Sequence, residues 1–244
     1  MLFDATRAAL MELFSPAFRA AFMKSLGLTI AALMILWLLL HGLFDAFALP
    51  WMASLWPGFP AWADWLGLAA AIIAGLGLAI GLAFLIGPVA AIIAGFFIDD
   101  VAEAVERKDY PADPPGQAMP LIPSVILSIK FFGVMVAGNL VALLLLLVPG
   151  VNLVAFFAVN GYLLGRQFFE FAAMRFLSEA EAKTLRRQNA LRVFVAGLII
   201  AAFLAVPLLN LLTPLFAAAL MVHVYKGVAI REGNRSNPAR SFAS

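Results

Sequence analysis

Apolar residues run through this chain in long blocks, and the breaks between blocks set the elements. Residues 1–24 differ: Asp4, Arg7, Glu12, Arg19 and Lys24 are spaced among Leu2, Phe3, Leu10, Leu13, Phe14, Phe18 and Phe22, with an interruption at Ser15-Pro16. That pattern predicts amphipathic helices lying at a membrane surface. The first unbroken run goes from Leu26 to Phe44. About 19 residues at 1.5 Å each give roughly 28 Å, one crossing of a hydrocarbon layer. It exceeds the roughly 7–15-residue apolar core of a secretory signal, so it reads as a retained helix although Ala46-Phe47-Ala48 mimics a cleavage site.

Residues 45–65 hold Trp51, Trp56, Trp62 and Trp65 with Pro50, Pro57 and Pro60 and no Lys or Arg, a loop suited to the headgroup layer. The run from Leu66 to Ile98 would reach roughly 50 Å as one helix, so it must tilt, break at Gly87-Pro88 or project beyond the bilayer. Residues 99–124 then turn polar, an acidic helical end followed by a proline-rich connector. Hydrophobicity resumes over Val125 to Val148, interrupted by Lys130, and stops at Pro149-Gly150; Leu153 to Gly165 follows before Arg166 and Glu170. After the polar stretch Glu170 to Arg192 come Val193 to Val206 and Leu211 to Tyr225. At about 21–23 Å each, these last two fall short of a roughly 30 Å core.

Two breaks repeat one motif, VPGVNL at 148–153 and VPLLNL at 206–211. In each, a proline ends one apolar helix and an asparagine, Asn152 or Asn210, stands where it can cap the next. The predicted fold is therefore an all-α integral membrane protein, a single membrane domain over 1–244. It comprises an amphipathic segment (1–24), two long transmembrane helices (26–98), a connector (99–124), a first helical hairpin (125–169), a polar helix (170–192), a second hairpin (193–226) and a flexible tail (227–244). Helix length alone separates hairpins that partly penetrate the bilayer from ordinary spanning pairs, and a partly penetrating tip must be buried in protein or line a water-filled path.

Composition sharpens this. With 64% hydrophobic and 12% charged residues, against roughly 45–50% and 25% in soluble domains, a water-soluble globule is excluded. The net charge of +2 comes with no basic stripe interleaved with aromatics, so nucleic acid is not an expected partner. Lys and Arg are absent from 45–65, 149–152 and 207–213, which places both termini in the cytoplasm. With no cysteine, histidines only at 41 and 223, and no GxxxxGK loop, neither metal nor cofactor is expected.

An anion path through a membrane needs scattered positive charge without too deep a trap. Arg19 and Lys24 flank the start of the first span, and Lys130 and Arg166 stand near the ends of the first hairpin's arms; each also reads as an interfacial side chain snorkelling to water, Arg166 with Glu170 as its i, i+4 partner. Asn152 and Asn210 are candidate pathway residues or plain helix caps, and Pro149, Gly150 and Pro207 shape the tips. Asn139 and Asn160 suggest bonds between helices, and the small pairs Gly77/Gly81, Ala91/Gly95 and Gly161/Gly165 suggest close helix approach. Asp99, Asp100, Glu103 and Glu106 share a helical face and raise a second reading, a Mg²⁺-dependent enzyme acting on a diphosphate. Such enzymes use two acidic clusters and a second is missing, so a surface helix and no catalytic residue are expected.

The tip motifs VPGVN and VPLLN, Pro16 to Arg19, AEAVE at 102–106 and the stretch from Arg187 to Gly197 resemble the CysZ family of bacterial inner-membrane sulfate transporters, part of a wider family named after an etoposide-induced membrane protein. The likeness runs from Leu13 to Lys226. It implies a channel-like, multi-pass homo-oligomer of the inner membrane that admits sulfate or a related anion for cysteine synthesis. The family's anion site uses adjacent arginines following Pro-Gly-Leu; here the stretch is Pro16-Ala17-Phe18-Arg19-Ala20, so Arg19 alone carries over, with Lys24 as the other nearby cation. Broken paired helices also occur in carriers. The alternatives are therefore a carrier for another small solute, or a membrane structural or assembly protein of the same fold.

Overall fold

The computed structural model describes residues 1–48, 50, 54, 64–118 and 152–236, and every regular element among them is helical. The chain forms two compact units, Met23–Ile93 and Met1–Phe22 with Ala94–Ser244. Helix α1 spans Leu2–Glu12, α2 Pro16–Leu43, α3 Asp64–Gly95, α4 Ile98–Asp109 and α5 Asn152–Met174. They are followed by α6 (Glu179–Gln188), α7 (Ala190–Leu204), the single turn α8 (Pro207–Asn210) and α9 (Thr213–Ser236).

In the Met23–Ile93 unit the side chains of Met34, Ile35, Leu38, Leu39, Ile73 and Ile80 are all more than half exposed. Such a surface suits hydrocarbon and not water. The stretch Pro16–Phe47 is long and apolar enough to cross a membrane, and its last turns widen into a π-helical segment, Phe44–Ala48. The helix begins at Pro16, ten residues before the apolar run at Leu26. Ser15 explains the start: its hydroxyl accepts from the Phe18 N–H at 3.1 Å, while Pro16 occupies the first helical position, where its missing N–H costs nothing. Replacing Ser15 with alanine is expected to cost about 1 kcal/mol, readable as a lower unfolding midpoint in detergent; an unchanged midpoint would show that packing alone fixes this helix start. Helix α3 passes through Gly87-Pro88 without the break that the sequence allowed. Glycine before the proline has no Cβ to collide with the ring, which removes part of the usual penalty.

The other unit is built around α9. Every residue from Leu215 to Lys226 is buried, and α9 packs against α1, α4, α5 and α7. A stretch apolar on all sides, such as Leu215 to Val222, needs a surround of protein or of hydrocarbon, and here protein supplies it. Its stretch Thr213–Gly233 is 21 residues long, enough to cross a membrane, and largely buried by the chain itself. Two expectations change here. The second arm of the second hairpin does not stop at Tyr225, and the tail expected from 227 is helical to Ser236. Falling hydrophobicity does not end a helix, and no proline occurs until Pro238. The second arm of the first hairpin is likewise longer than Leu153 to Gly165: α5 continues through Arg166 and Glu170 to Met174.

Helices α5 and α7 cross at glycines. A Cβ on Gly197 would lie 1.9 Å from the Gly161 carbonyl oxygen and 2.8 Å from the Gly165 Cα, and a Cβ on Gly165 would lie 2.6 Å from the Val193 oxygen. The Gly161/Gly165 pair thus does bring two helices close, whereas Gly77 and Gly81 have nothing within 4 Å of an added Cβ.

Candidate functional site

The clearest candidate lies where α6 meets α7. The two helices turn through 92° at Asn189, putting a short polar helix at right angles to an apolar one. Ser178 starts α6 with a capping box, its hydroxyl accepting from the Glu181 N–H while the Glu181 carboxylate accepts from the Ser178 N–H at 2.9 Å. At the elbow Asn189 uses its side chain on the Leu185 carbonyl (3.2 Å) and accepts from Arg192 (2.6 Å). It gives no side-chain cap to α7, whose first N–H groups carry the positive end of the helix dipole.

A cleft of about 360 Å³ opens at this corner, lined by Tyr162 and Arg166 of α5, Arg186 of α6 and Ala190, Leu191, Val193 and Phe194 of α7. Below the two arginines lies Glu170, with a side chain at 0% exposure. One oxygen of its carboxylate stands 2.8 Å from Arg186 Nε and 3.4 Å from Arg166 Nε. These contacts are ionic only: neither Nε–H points along the line to that oxygen, and both carboxylate oxygens and both Nε atoms lack a hydrogen bond among the described residues. Two cations and one anion leave the cluster at +1. The two arginine side chains remain 23% and 12% exposed and line the apolar-walled cleft. Guanidinium donors beside an uncapped helix start are chemistry for an oxyanion.

A second ionic cluster is closed. Arg175 grips Glu106 through Nε (2.7 Å) and Nη2 (3.2 Å) and also pairs with Asp99. Glu106 accepts a further bond from the Gly116 N–H at 3.0 Å. Burial pushes the Asp99 carboxyl above its usual range, against the pull of Arg175. Asp99 and Glu106 therefore serve an arginine, and Glu103 pairs with Arg107 at 3.3 Å. The four carboxylates do not form one cluster, and among the described residues no acidic or histidine group is arranged to hold a metal ion. Nearby, Lys226 pairs with Asp113 (2.8 Å) and stands 4.1 Å from the Phe176 ring centre, Tyr110 bonds to His223 (2.9 Å), and Lys108 pairs with buried Glu12. Burial, with Asp109 and Asp113 close by, pushes the Tyr110 phenol up to about 12, so it stays protonated at any working pH.

Of the residues singled out from the sequence, Arg166 lines the cleft, and its pairing with Glu170 at i, i+4 is present. Arg19 and Lys24 are exposed on α2, and neither is joined to a partner among the described residues. Asn152 is the first residue of α5. Asn210 does not cap α9: it is the last residue of α8, and α9 starts three residues later, where the Thr213 hydroxyl donates to the Leu209 carbonyl at 3.2 Å. The intervening turn exists because Pro207, at the first helical position after extended Val206, nucleates a helix of its own. The Asn160 amide bonds to the Phe156 carbonyl of its own helix at 2.9 Å. Lys130, Asn139, Pro149 and Gly150 lie outside the described residues. Arg186 was not among the sequence candidates.

A family model described as sulfate transporter CysZ/etoposide-induced protein 2.4 matches residues 5–214, which include every lining residue of the cleft. No curated protein matches the chain.

Proposed function

Because the chain belongs to the sulfate transporter CysZ/etoposide-induced protein 2.4 family, we propose that it carries sulfate or a related small oxyanion across the bacterial inner membrane, in support of cysteine synthesis. The observation that carries this reading is the cleft at the α6–α7 elbow, where two arginines of a transporter-family chain keep N–H donors unpaired among the described residues. Arg19, with Lys24, serves as a cationic mouth that raises the local anion concentration, and the Arg166/Arg186 cleft is a station on the path. Pro207 shapes the tip of the second hairpin and Pro149 and Gly150 that of the first, Asn152 and Asn210 are pathway residues beside them, and Lys130 is a cation that steers the anion toward the mouth. Both termini face the cytoplasm, and the chain works as a homo-oligomer in the bilayer.

Radiolabelled sulfate uptake into proteoliposomes tests this, with empty liposomes as the baseline. Arg186→Gln is expected to lower uptake at least about tenfold, since it removes a charge-assisted donor at the site. Arg19→Ala is expected to lower the initial rate and to make it less sensitive to salt. Native uptake that survives both substitutions would remove both stations. Native protein that inserts as a single species and passes no sulfate would favour a structural or assembly role instead.

A further inference from the structure

Glu170 is left over by the transport reading, which needs the two arginines and has no evident use for a carboxylate beneath them. Glu106 shows how this chain holds a buried carboxylate for structure alone: three directed N–H bonds, two from Arg175 and one from Gly116. Glu170 is buried at least as deeply and has none among the described residues, its carboxylate meeting the off-axis attraction of Arg166 and Arg186. A group held by charge without hydrogen bonds sacrifices stability that directed bonds would supply. What it retains is its effect on the potential above it.

We infer that Glu170 is an attenuator of the cleft, a specificity-determining counter-charge that never touches the anion yet sets how tightly a dianion is held. The inference rests on the reading that the Arg166/Arg186 cleft takes the transported anion. With Glu170 ionised, an arriving anion meets +1; without it, +2. The repulsion from a fixed charge scales with the ligand's own charge, so Glu170 weakens a dianion twice as strongly, in free energy, as a monoanion at the same position. A conducting site must bind well enough to admit an ion and weakly enough to release it. Two desolvated guanidinium groups beside a helix start would form a trap for sulfate, and one buried carboxylate lowers it. The apolar walls, Leu191, Val193 and Phe194, supply little to screen that charge, which lets it act through the guanidinium groups.

The experiment compares four full-length proteins: native, Glu170→Gln, Arg186→Gln, and the double variant Glu170→Gln/Arg186→Gln. Binding of sulfate and of nitrate is measured in detergent by isothermal titration, and sulfate flux in proteoliposomes. Glu170→Gln is expected to bind sulfate at least about tenfold tighter and nitrate about threefold tighter, the square-root relation between the two charges, while its flux at saturating sulfate falls. The double variant returns the cluster to +1 but lacks the Arg186 donor, so its sulfate affinity is expected at least about tenfold above that of Arg186→Gln and below that of Glu170→Gln. Equal gains for both anions, or a folded Glu170→Gln that binds sulfate no tighter than native, would overturn the attenuator. Should Glu170→Gln fail to fold, the double variant decides: sulfate binding about tenfold tighter than in Arg186→Gln supports the charge account, and binding no tighter than in Arg186→Gln overturns it. Failure of the underlying reading looks different, as native protein that does not bind sulfate and loses no flux in Arg186→Gln.

Discussion

A leucine at position 197 abolishes the folded unit built from Met1–Phe22 and Ala94–Ser244. Even alanine places its Cβ 1.9 Å from the Gly161 carbonyl oxygen, far inside any contact distance, and the obstacle is backbone that cannot swing aside. Relief requires α5 and α7 to separate, which would open the main helix pair of the unit and the cleft wall it supports. Gly197→Ala should cost at least about 3 kcal/mol, the upper end of overpacking effects, and Gly197→Leu should leave no monodisperse peak on size exclusion in detergent. The matched control is Gly81→Ala on α3, where nothing lies within 4 Å of the new Cβ and helix propensity should add up to roughly 1 kcal/mol. Thermal unfolding of the three variants side by side reads both signs. A Gly197→Ala protein that melts with the native one would mean that the two helices do not cross here.

Arg175→Met comes second in expected effect. The arginine is buried and satisfies two carboxylates, so its removal strands the charge of buried Glu106, while Asp99, 35% exposed, can still turn to solvent. Breaking one side of a buried pair typically costs about 3–5 kcal/mol, and that is the expected loss here. Glu106→Gln combined with Arg175→Met should recover part of it, because the glutamine carries no charge to desolvate. A double-mutant cycle on unfolding midpoints isolates the coupling. Loss of less than about 1 kcal/mol in the single variant would place the cluster in water, contrary to its burial. The loop from Tyr110 to Gln117 should loosen too, since the Gln117 N–H bonds to the Arg175 carbonyl at 2.8 Å and Gly116 to the Glu106 carboxylate. Faster proteolysis in that loop would report it.

Helical class and membrane character were legible because hydrophobic blocks and proline breaks state them directly. Helix ends were not, for one physical reason. Hydropathy marks which residues sit among apolar neighbours, while hydrogen bonding and capping decide where a helix begins and stops. Ser15-Pro16 contained the true start of α2, yet the apolar count pointed to Leu26. In α9 the polar residues after Lys226 hid a helix that nothing terminates before Ser236. The candidate site divides the same way. Arg166 and Glu170 could be paired from their spacing on one helix, but Arg186 reaches them from a separate helix, α6, which the spacing along α5 could not announce. Its only trace in the sequence was its place four residues after Ala182, and the structure shows that face turned inward, with Ala182 fully buried. Arg175 left a similar trace, a lone cation after Ala172 and Ala173, while its partner Glu106 lies 69 residues away in the chain.

The central place of α9 also has a consequence for biosynthesis. The helix that fills the middle of its unit is translated after every helix it packs against, and the side chain of Met1 rests against it at Gly227, where an added Cβ would come 3.2 Å from Met1. Helices α1, α4, α5 and α7 must therefore wait in or at the membrane with their inner faces unmatched until residues 213–236 leave the ribosome. Contacts between residues more than two hundred positions apart close late and slowly. This unit is assembled from its perimeter inward, and chains released before residue 213 would present the quality-control machinery with a ring of helices around a missing core.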